Sequence, residues 1–204
     1  MKPMKLLISA FEPFGGEDTN ASLETLKALH GRENVTVCGI TVPVAFRDCA
    51  KCVLDAAADV RPDALIMLGQ AGGRTCVTPE LFAHNEDDAR IPDNRADQPV
   101  KRKIIPDGPD VIRTKLPAEE IVQRMLIKGA PACVSEDAGR FVCNHLMYEV
   151  LYALEREGSG IPAGFIHLPY LEEQSRAGRP CITKKEAADA LSAAVEVLYE
   201  RWKK

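Results

Sequence analysis

The stretch Ala64-Leu65-Ile66-Met67-Leu68 decides the fold class. It is apolar at every position, and Gly69-Gln70-Ala71-Gly72-Gly73 follows it at once. Short runs of this kind are typical of parallel strands, which helices cover on both faces of the sheet. We therefore predict a buried strand over 64–68 that leads into a flexible turn.

Predicted strands and helices alternate on both sides of this run. The other predicted strands are Lys5–Phe11, Val35–Val42, Ala132–Ser135 and Gly164–Leu168. The predicted helices are Ala21 to about Leu29, Phe46–Val60, Pro117–Lys128, Asn144 to about Glu157, and a last helix that ends near Trp202. Asn20 and the capping box Thr183-x-x-Glu186 mark two of the helix starts. This alternation predicts one α/β sandwich with a mainly parallel sheet.

Length and composition narrow the class of protein. A chain of 204 residues that is 46% hydrophobic and 27% charged is expected to form one domain over residues 1–204. Its net charge of −4 makes nucleic acid an unexpected partner. We expect no membrane partner, because the N-terminal apolar run is broken at Glu12-Pro13 and no stretch reaches the roughly 18 apolar residues of a membrane span. Seven cysteines at irregular spacing predict reduced thiols and a cytoplasmic setting.

The segment from Glu86 to Asp110 is rich in proline and charge and lacks a periodic apolar pattern. Segments of this length without regular structure are uncommon in compact domains. Two interpretations stay open, a mobile surface loop and a functional or interaction arm.

Cys143 is the candidate nucleophile. It stands at the inferred start of a helix, where unpaired amides and the helix dipole favour an anion and can lower a thiol pKa. The alternative for any intracellular cysteine is burial as a small apolar side chain. We assign that packing role to Cys38, Cys76, Cys133 and Cys181.

The pair Cys49-x-x-Cys52 invites a redox or zinc interpretation. A redox pair of this type begins at a helix start after a strand, whereas these residues lie inside an alanine-rich predicted helix. A zinc site would need two further ligands at similar spacing, which the sequence does not offer. We therefore predict that both cysteines pack structurally.

His167 is the candidate base for Cys143, because it ends a predicted strand and can reach the same crevice. His145 is nearer in sequence, but residues two apart on a helix point about 200° away from each other. The alternative for His167 is an imidazole buried in the core with its hydrogen bonds satisfied.

A third, acidic group would orient the imidazole and stabilise its protonated form. Glu80, Asp87 and Asp88 all follow the strand at 64–68, and spacing alone does not choose among them. A solvated surface position is the alternative for each.

Five segments, in order from residue 11 to residue 170, resemble the pyroglutamyl peptidase type I family, also called pyrrolidone-carboxylate peptidases. The segments are Phe11-Glu12-Pro13-Phe14-Gly15-Gly16; Gly72-Gly73-Arg74-Thr75 with Thr78-Pro79-Glu80; Asp87-Asp88-Ala89-Arg90-Ile91-Pro92-Asp93-Asn94; Ala138-Gly139 with Phe141-Val142-Cys143-Asn144-His145; and Gly164-Phe165-Ile166-His167-Leu168-Pro169-Tyr170. Each is weak alone, and together they are specific.

The resemblance implies a three-layer α/β/α sandwich and a cytoplasmic, tetrameric cysteine peptidase without a cofactor or a metal. Its implied reaction is removal of an N-terminal pyroglutamyl residue from peptides through an acyl-enzyme. The implied triad is Glu80, Cys143 and His167, a choice of acid that spacing left open. The implied substrate-binding residues are Phe11, Phe14, Gln70, Arg90 and Phe141.

Arg140 departs from the family pattern, in which a small or polar residue is usual near the nucleophile. A guanidinium at this position could favour the thiolate of Cys143 or narrow the leaving-group side of the site. The preference of the enzyme for the second substrate residue depends on which of these two effects Arg140 has.

Two other function classes compete with a peptidase. A nucleoside phosphorylase-like enzyme would need a cluster of phosphate-binding arginines, and only Arg74 and Arg90 lie near the predicted site loops. A non-catalytic interaction module on the same fold would be favoured by a missing nucleophile, and Cys143 is present.

Overall fold

The computed structural model describes residues 2–175 and 178–204, so Met1, which opens the N-terminal run, lies outside the described residues. Within them, the central sheet contains the strands β1 (Met4–Phe11), β2 (Val35–Val42), β3 (Ala64–Gln70), β4 (Thr78–Pro79) and β7 (Ala163–Leu168). Their order across the sheet is β2-β1-β3-β7-β4. All neighbouring pairs are parallel except β4 with β7, which confirms a mainly parallel, mixed sheet.

Helices cover both faces of the sheet. Helices α1 (Ala21–Lys27), α3 (Ala118–Ile127) and α5 (Lys184–Trp202) pack into one core cluster. Helices α2 (Cys49–Val60) and α4 (Val142–Arg156) pack into the other. The three-layer α/β/α arrangement is therefore confirmed. In the described part of the chain, every helix is too short or too polar to cross a bilayer.

Strand β3 is longer than the apolar run predicted. All seven of its residues are buried, and it continues through Gly69 and Gln70, which were expected to begin a turn. The reason is a pairing that the sequence does not reveal, because Gly69 and Gln70 lie opposite His167 and Leu168 on β7. The strand thus carries its backbone directly to the position of His167.

The helix starts follow local capping chemistry. The Asn20 side chain accepts a hydrogen bond from the Ser22 amide, and Thr183 and Glu186 form the predicted capping box. Helix α2 begins at Cys49, three residues later than predicted, and the Phe46 amide instead donates to Asp93 Oδ2 over 2.9 Å. Helix α4 begins two residues earlier than predicted.

Short pairings complete the fold. Strands β5 (Phe82–His84) and β6 (Val111–Arg113) are antiparallel, and β8 (Tyr170–Leu171) and β9 (Cys181–Ile182) are parallel. The strand predicted over Ala132–Ser135 is instead two isolated bridges, to Val77 and to Glu80.

The segment from Glu86 to Asp110 is fastened to the sandwich. Asp87 and Arg102 exchange two backbone hydrogen bonds within the segment, and the Asp88 amide donates to the Arg140 carbonyl outside it over 2.9 Å. The Asn94 amide donates to the Val44 carbonyl over 2.9 Å, and Asp93 is buried. Of the two interpretations left open, the structure favours a segment packed beside the strand ends over a free loop.

Candidate active site

A pocket of about 550 Å³ opens at the carboxyl ends of β1, β3 and β7. Loops that leave these strands form its walls together with the start of α4 and part of the segment after β5. The sequence-predicted residues that line it are Phe11, Phe14, Gln70, Arg90, Phe141, Cys143 and His167. Glu80 is fully buried behind His167 and does not line the pocket.

Cys143 is the second residue of α4, and its neighbour Asn144 fixes the start of that helix. Asn144 is fully buried. Its side-chain oxygen accepts from the His84 amide over 2.8 Å, and its Nδ2 donates to the carbonyls of His84 and Glu86 over 2.8 and 3.0 Å. These three bonds tie the residue next to Cys143 to the end of β5 and to Glu86 just after it.

Gly69 gives the Cys143 thiol its space. A Cβ atom at this glycine would lie 3.0 Å from Cys143 Sγ and 2.6 Å from Phe165 Cζ. Gly69 is also the partner of His167 in the pairing of β3 with β7. Because Gly69 has no side chain, the Cys143 thiol can lie close to β3, next to the His167 imidazole.

The His167 ring is oriented by Glu80. His167 Nδ1 lies 2.7 Å from Glu80 Oε1, and both side chains are buried. Burial would raise the pKa of Glu80, but the His167 hydrogen bond and charge lower it overall, with smaller contributions from Ser135 and Arg74. An ionised carboxylate only accepts hydrogen bonds, so the proton of the neutral imidazole resides on Nδ1. Nε2 is left as the basic nitrogen.

Arg74 is a second partner of Glu80, with a role that the sequence did not indicate. Its Nη1 donates to Glu80 Oε1 over 2.6 Å and also contacts Thr78 Oγ1, while its Nη2 donates to the Asp137 carbonyl over 3.0 Å. The residue lines the pocket. Its spacing, six positions before Glu80 on the same strand-exit loop, was the available signal. Arg74 thus keeps the carboxylate charged and steady behind His167.

The pKa of Cys143 differs from the expectation for a thiol at a helix start. Burial and the charge of Glu80 raise the pKa of Cys143 to about 12, although Arg74 and the backbone amide of Cys143 act in the opposite direction. Burial also lowers the pKa of His167, against the hydrogen bond and charge of Glu80. Both directions favour a neutral thiol and a neutral imidazole over a preformed ion pair.

Aromatic side chains form one wall of the pocket. The Phe14 and Phe141 ring centroids are 6.2 Å apart, and Phe46 meets Phe141 edge-on at 5.5 Å. Phe11 is buried and packs 6.4 Å from Phe165. Phe46 was not among the predicted site residues, and it supports Phe141 from behind.

Gln70 and Arg90 occupy different environments. Gln70 is buried, and its side-chain oxygen accepts from the Ala21 amide and from Gln174 Nε2, each over 2.8 Å. Two donors already occupy that oxygen, although Gln70 also lines the pocket. Arg90 is exposed at the pocket rim.

Neither of the other two candidate acids contacts His167 in the structure, although Asp88 lines the pocket. Asp87 is buried and pairs with His145 Nδ1 at 3.0 Å and with Arg102 at 3.2 Å, while Asp88 is exposed. His145 faces Asp87 and lies outside the pocket lining, in keeping with its rejection as the base.

Arg140 lines the pocket, so narrowing of the leaving-group side stays a prediction, whereas its charge is engaged away from Cys143. Its guanidinium is paired with Asp137 at 2.8 Å and donates to the Gly139 carbonyl over 2.7 Å. Arg74, not Arg140, is the arginine whose charge lowers the pKa of the Cys143 thiol.

The packing role assigned to the other cysteines holds only in part. Cys49 is buried, but Cys52 and Cys133 are exposed, and Cys38, Cys76 and Cys181 are half-buried. Both residues of the C-x-x-C pair lie on α2, where Cys49 faces the core and Cys52 faces solvent. Among the described residues, His, Cys, Asp and Glu side chains form no group of three or more that could hold a metal ion.

Comparison with known proteins gives one consistent result. The family profile described as pyroglutamyl peptidase matches residues 4–201. A pyrrolidone-carboxylate peptidase of Levilactobacillus brevis is 43% identical over 198 residues, covering 96% of this chain and 97% of the relative. One from a Thermoanaerobacter species is 41% identical over 201 residues, covering 97% and 99%.

Solved structures agree with the sequence relatives. The pyroglutamyl peptidase I of Bacillus amyloliquefaciens superposes with a TM-score of 0.92 at 37% identity, covering 96% of this chain and 95% of that one. The pyrrolidone carboxyl peptidase of Thermococcus litoralis superposes with a TM-score of 0.93 at 32% identity, covering 98% and 95%.

Proposed function

The chain belongs to the pyroglutamyl peptidase family, and on that premise we propose that it is a cysteine peptidase that hydrolyses the bond after an N-terminal pyroglutamyl residue. In this proposal Cys143 is the nucleophile, His167 the general base and Glu80 the group that orients the base. The observation that carries it is the contact of Glu80 with His167 Nδ1 at 2.7 Å, together with a thiol at the start of α4 in the same pocket.

The first step is proton transfer coupled to attack. The neutral thiol of Cys143 gives its proton to Nε2 of His167 as sulfur attacks the pyroglutamyl carbonyl. The imidazolium formed in this step is stabilised by the Glu80 carboxylate at Nδ1. A raised thiol pKa and a lowered imidazole pKa both favour this neutral starting pair over a stored ion pair.

Backbone amides at the start of α4 are suited to the oxyanion. The first N–H groups of a helix have no acceptor within the helix, and Val142 and Cys143 both line the pocket. The protonated His167 then gives its proton to the leaving amine, which departs. Water, activated by the same imidazole, hydrolyses the acyl-enzyme and frees Cys143.

The aromatic wall accounts for the choice of a cyclic residue. A pyroglutamyl group has no α-ammonium, so apolar walls and partners for one lactam N–H and one C=O are sufficient. Phe11, Phe14 and Phe141 supply the walls, and backbone near Gln70 and Phe141 supplies the polar partners. A linear residue would bring a charged ammonium into this cup, at a cost of roughly several kcal/mol.

A matched substrate series tests the proposal. We would measure kcat/KM for pyroglutamyl, prolyl, glutamyl and glutaminyl amides that carry the same reporter group. The expected preference for the pyroglutamyl amide over both linear ones is about a thousandfold or more, since about 1.4 kcal/mol corresponds to each factor of ten. Comparable values for linear and cyclic substrates would show that the aromatic cup is not the specificity pocket.

The resemblance further supports a homotetramer in the cytoplasm that acts on pyroglutamyl peptides. Exposed apolar side chains at Val100 and Ile127, with exposed fractions of 74% and 79%, are candidate subunit contacts. Sedimentation equilibrium of the purified chain would measure its mass, and a monomer at micromolar concentration would contradict this part of the proposal.

A further inference from the structure

Cys76 and Cys133 form a close pair that the proposed mechanism does not use. Their Sγ atoms are 2.9 Å apart, although the residues are 57 positions apart in the chain. Cys133 is exposed and Cys76 is half-buried. Cys76 lies in the loop between β3 and β4, and Cys133 lies in the segment between α3 and α4.

Backbone hydrogen bonds hold both cysteines in place. Val77 and Ala132 form a parallel bridge, in which the Val77 amide donates to the Pro131 carbonyl over 2.8 Å and the Cys133 amide donates to the Val77 carbonyl over 3.1 Å. Cys76 and Cys133 flank this bridge. A disulfide has an S–S length of about 2.05 Å, so the sulfur atoms need to approach by only about 0.9 Å from their separation here. Side-chain rotation can supply that movement.

Two other roles for the pair fit less well. Packing does not explain an exposed thiol at Cys133. A metal site would need further ligands, and within the ranges that the structure describes no third His, Cys, Asp or Glu joins the two sulfurs.

We propose that Cys76 and Cys133 are a reversible disulfide site that fastens the loop after β3 to the segment before α4. The oxidant is an external disulfide of the glutathione class. The thiolate of Cys133 attacks the oxidant and releases one glutathione thiol. The thiolate of Cys76 then attacks the Cys133 sulfur of the mixed disulfide and releases the second, so one oxidant becomes two thiols and the chain loses two hydrogens.

The order of these steps follows from exposure. Cys133 is the exposed member and meets the oxidant first. Cys76 is half-buried, and its sulfur already lies next to the Cys133 sulfur when the second step begins.

The disulfide would fasten one wall of the pocket without closing it. Arg74 lies two residues before Cys76 and donates to the carbonyl of Asp137, four residues after Cys133, over 3.0 Å. The same two segments are joined where the Ser135 amide donates to the Pro79 carbonyl over 3.0 Å. Neither cysteine lines the pocket.

Peptide mapping tests the pairing directly. Trypsin places Cys76 in the fragment 75–90 and Cys133 in the fragment 129–140, each of which contains one cysteine. After incubation of the full chain with oxidised glutathione and quenching with acid, these two fragments are expected as one species lacking two hydrogens. Two glutathione thiols should be released for each such species. Recovery of the fragments only as separate glutathione adducts would overturn the proposal.

Thermal unfolding gives a second readout. Closing this loop should raise the Tm of the oxidised wild type by roughly 5–10 °C over the reduced form. Cys76→Ser and Cys133→Ser should each lose the shift, and Cys52→Ser, which removes another exposed thiol, should keep it. A shift that persists in Cys76→Ser would contradict the assignment. Neither readout depends on turnover, so failure here is distinguishable from failure of the proposed function.

Discussion

Gly69 is the position where one added carbon most directly tests the arrangement of the site. In Gly69→Ala the new Cβ would lie 3.0 Å from Cys143 Sγ and 2.6 Å from Phe165 Cζ, whereas ordinary contact begins at 3.4 Å. The thiol must therefore retreat by at least about 0.4 Å and the ring by about 0.8 Å. A misplacement of about 1 Å can cost a hundredfold in rate, so we expect kcat/KM to fall roughly 10- to 100-fold.

The assay must separate this displacement from loss of the fold. Overpacking should cost about 1–3 kcal/mol of the free energy of unfolding, which urea denaturation would measure. Gly39→Ala is the matched control, because its Cβ would meet only the flexible end of the Leu26 side chain, at 3.2 Å. The double variant G69A/F165L removes the clash with the ring but keeps the contact with sulfur. Adding G69A to F165L should therefore cost little free energy of unfolding, and it should still lower kcat/KM. A folded Gly69→Ala variant with kcat/KM within twofold of the wild type would refute the reasoning.

Three further predictions concern the charged groups. Glu80→Gln removes the charge that stabilises the imidazolium, a contribution of about 4 kcal/mol at an effective dielectric of about 20, so kcat should fall about a thousandfold; a fall under tenfold would argue against Glu80 as the orienting group. Burial lowers the pKa of His167, so the acid limb of kcat/KM should have its midpoint below 6.5, with activity lost as pH falls through it; a midpoint above 6.5 would be inconsistent with a buried base. Burial alone would lower the pKa of His145, but Asp87 and Glu149 raise it to about 9. Because this pKa is raised on folding, its stabilisation is full below about pH 6.5 and is lost as pH rises through about 9. The stability advantage of the wild type over His145→Gln should shrink by about 3 kcal/mol between pH 6 and 10, and an advantage that does not change with pH would contradict the pairing.

The main elements of the fold could be predicted because local chemistry specified them. The apolar run at 64–68 forms a fully buried strand, and Asn20 and Thr183 cap helices through their own side chains. The extension of β3 through Gly69 and Gln70 could not be predicted, because it depends on pairing with β7. The residues at 132–135 form only isolated bridges, since their neighbours in space come from distant parts of the chain.

The candidate site was predictable in its reactive groups and less so in its supports. Cys143 at a helix start and His167 on a strand are local features that a sequence displays. The role of Arg74 and the space left by Gly69 depend on contacts between segments, which spacing does not encode. A helix start can lower a thiol pKa, but burial and the charge of Glu80 raise the pKa of Cys143 instead. The close contact of Cys76 and Cys133 likewise needs two segments brought together.

The most direct test of the central claim is turnover of a pyroglutamyl amide by Cys143→Ser and Cys143→Ala. Both variants should keep the circular dichroism spectrum and the Tm of the wild type, because they change one half-buried side chain. Both should lose at least about a thousandfold in kcat. The serine hydroxyl is a poor nucleophile in a site whose imidazole is adapted to a thiol, and the alanine methyl group cannot act as a nucleophile. Cys181→Ser should retain wild-type turnover. Wild-type activity in folded Cys143→Ser would contradict the account.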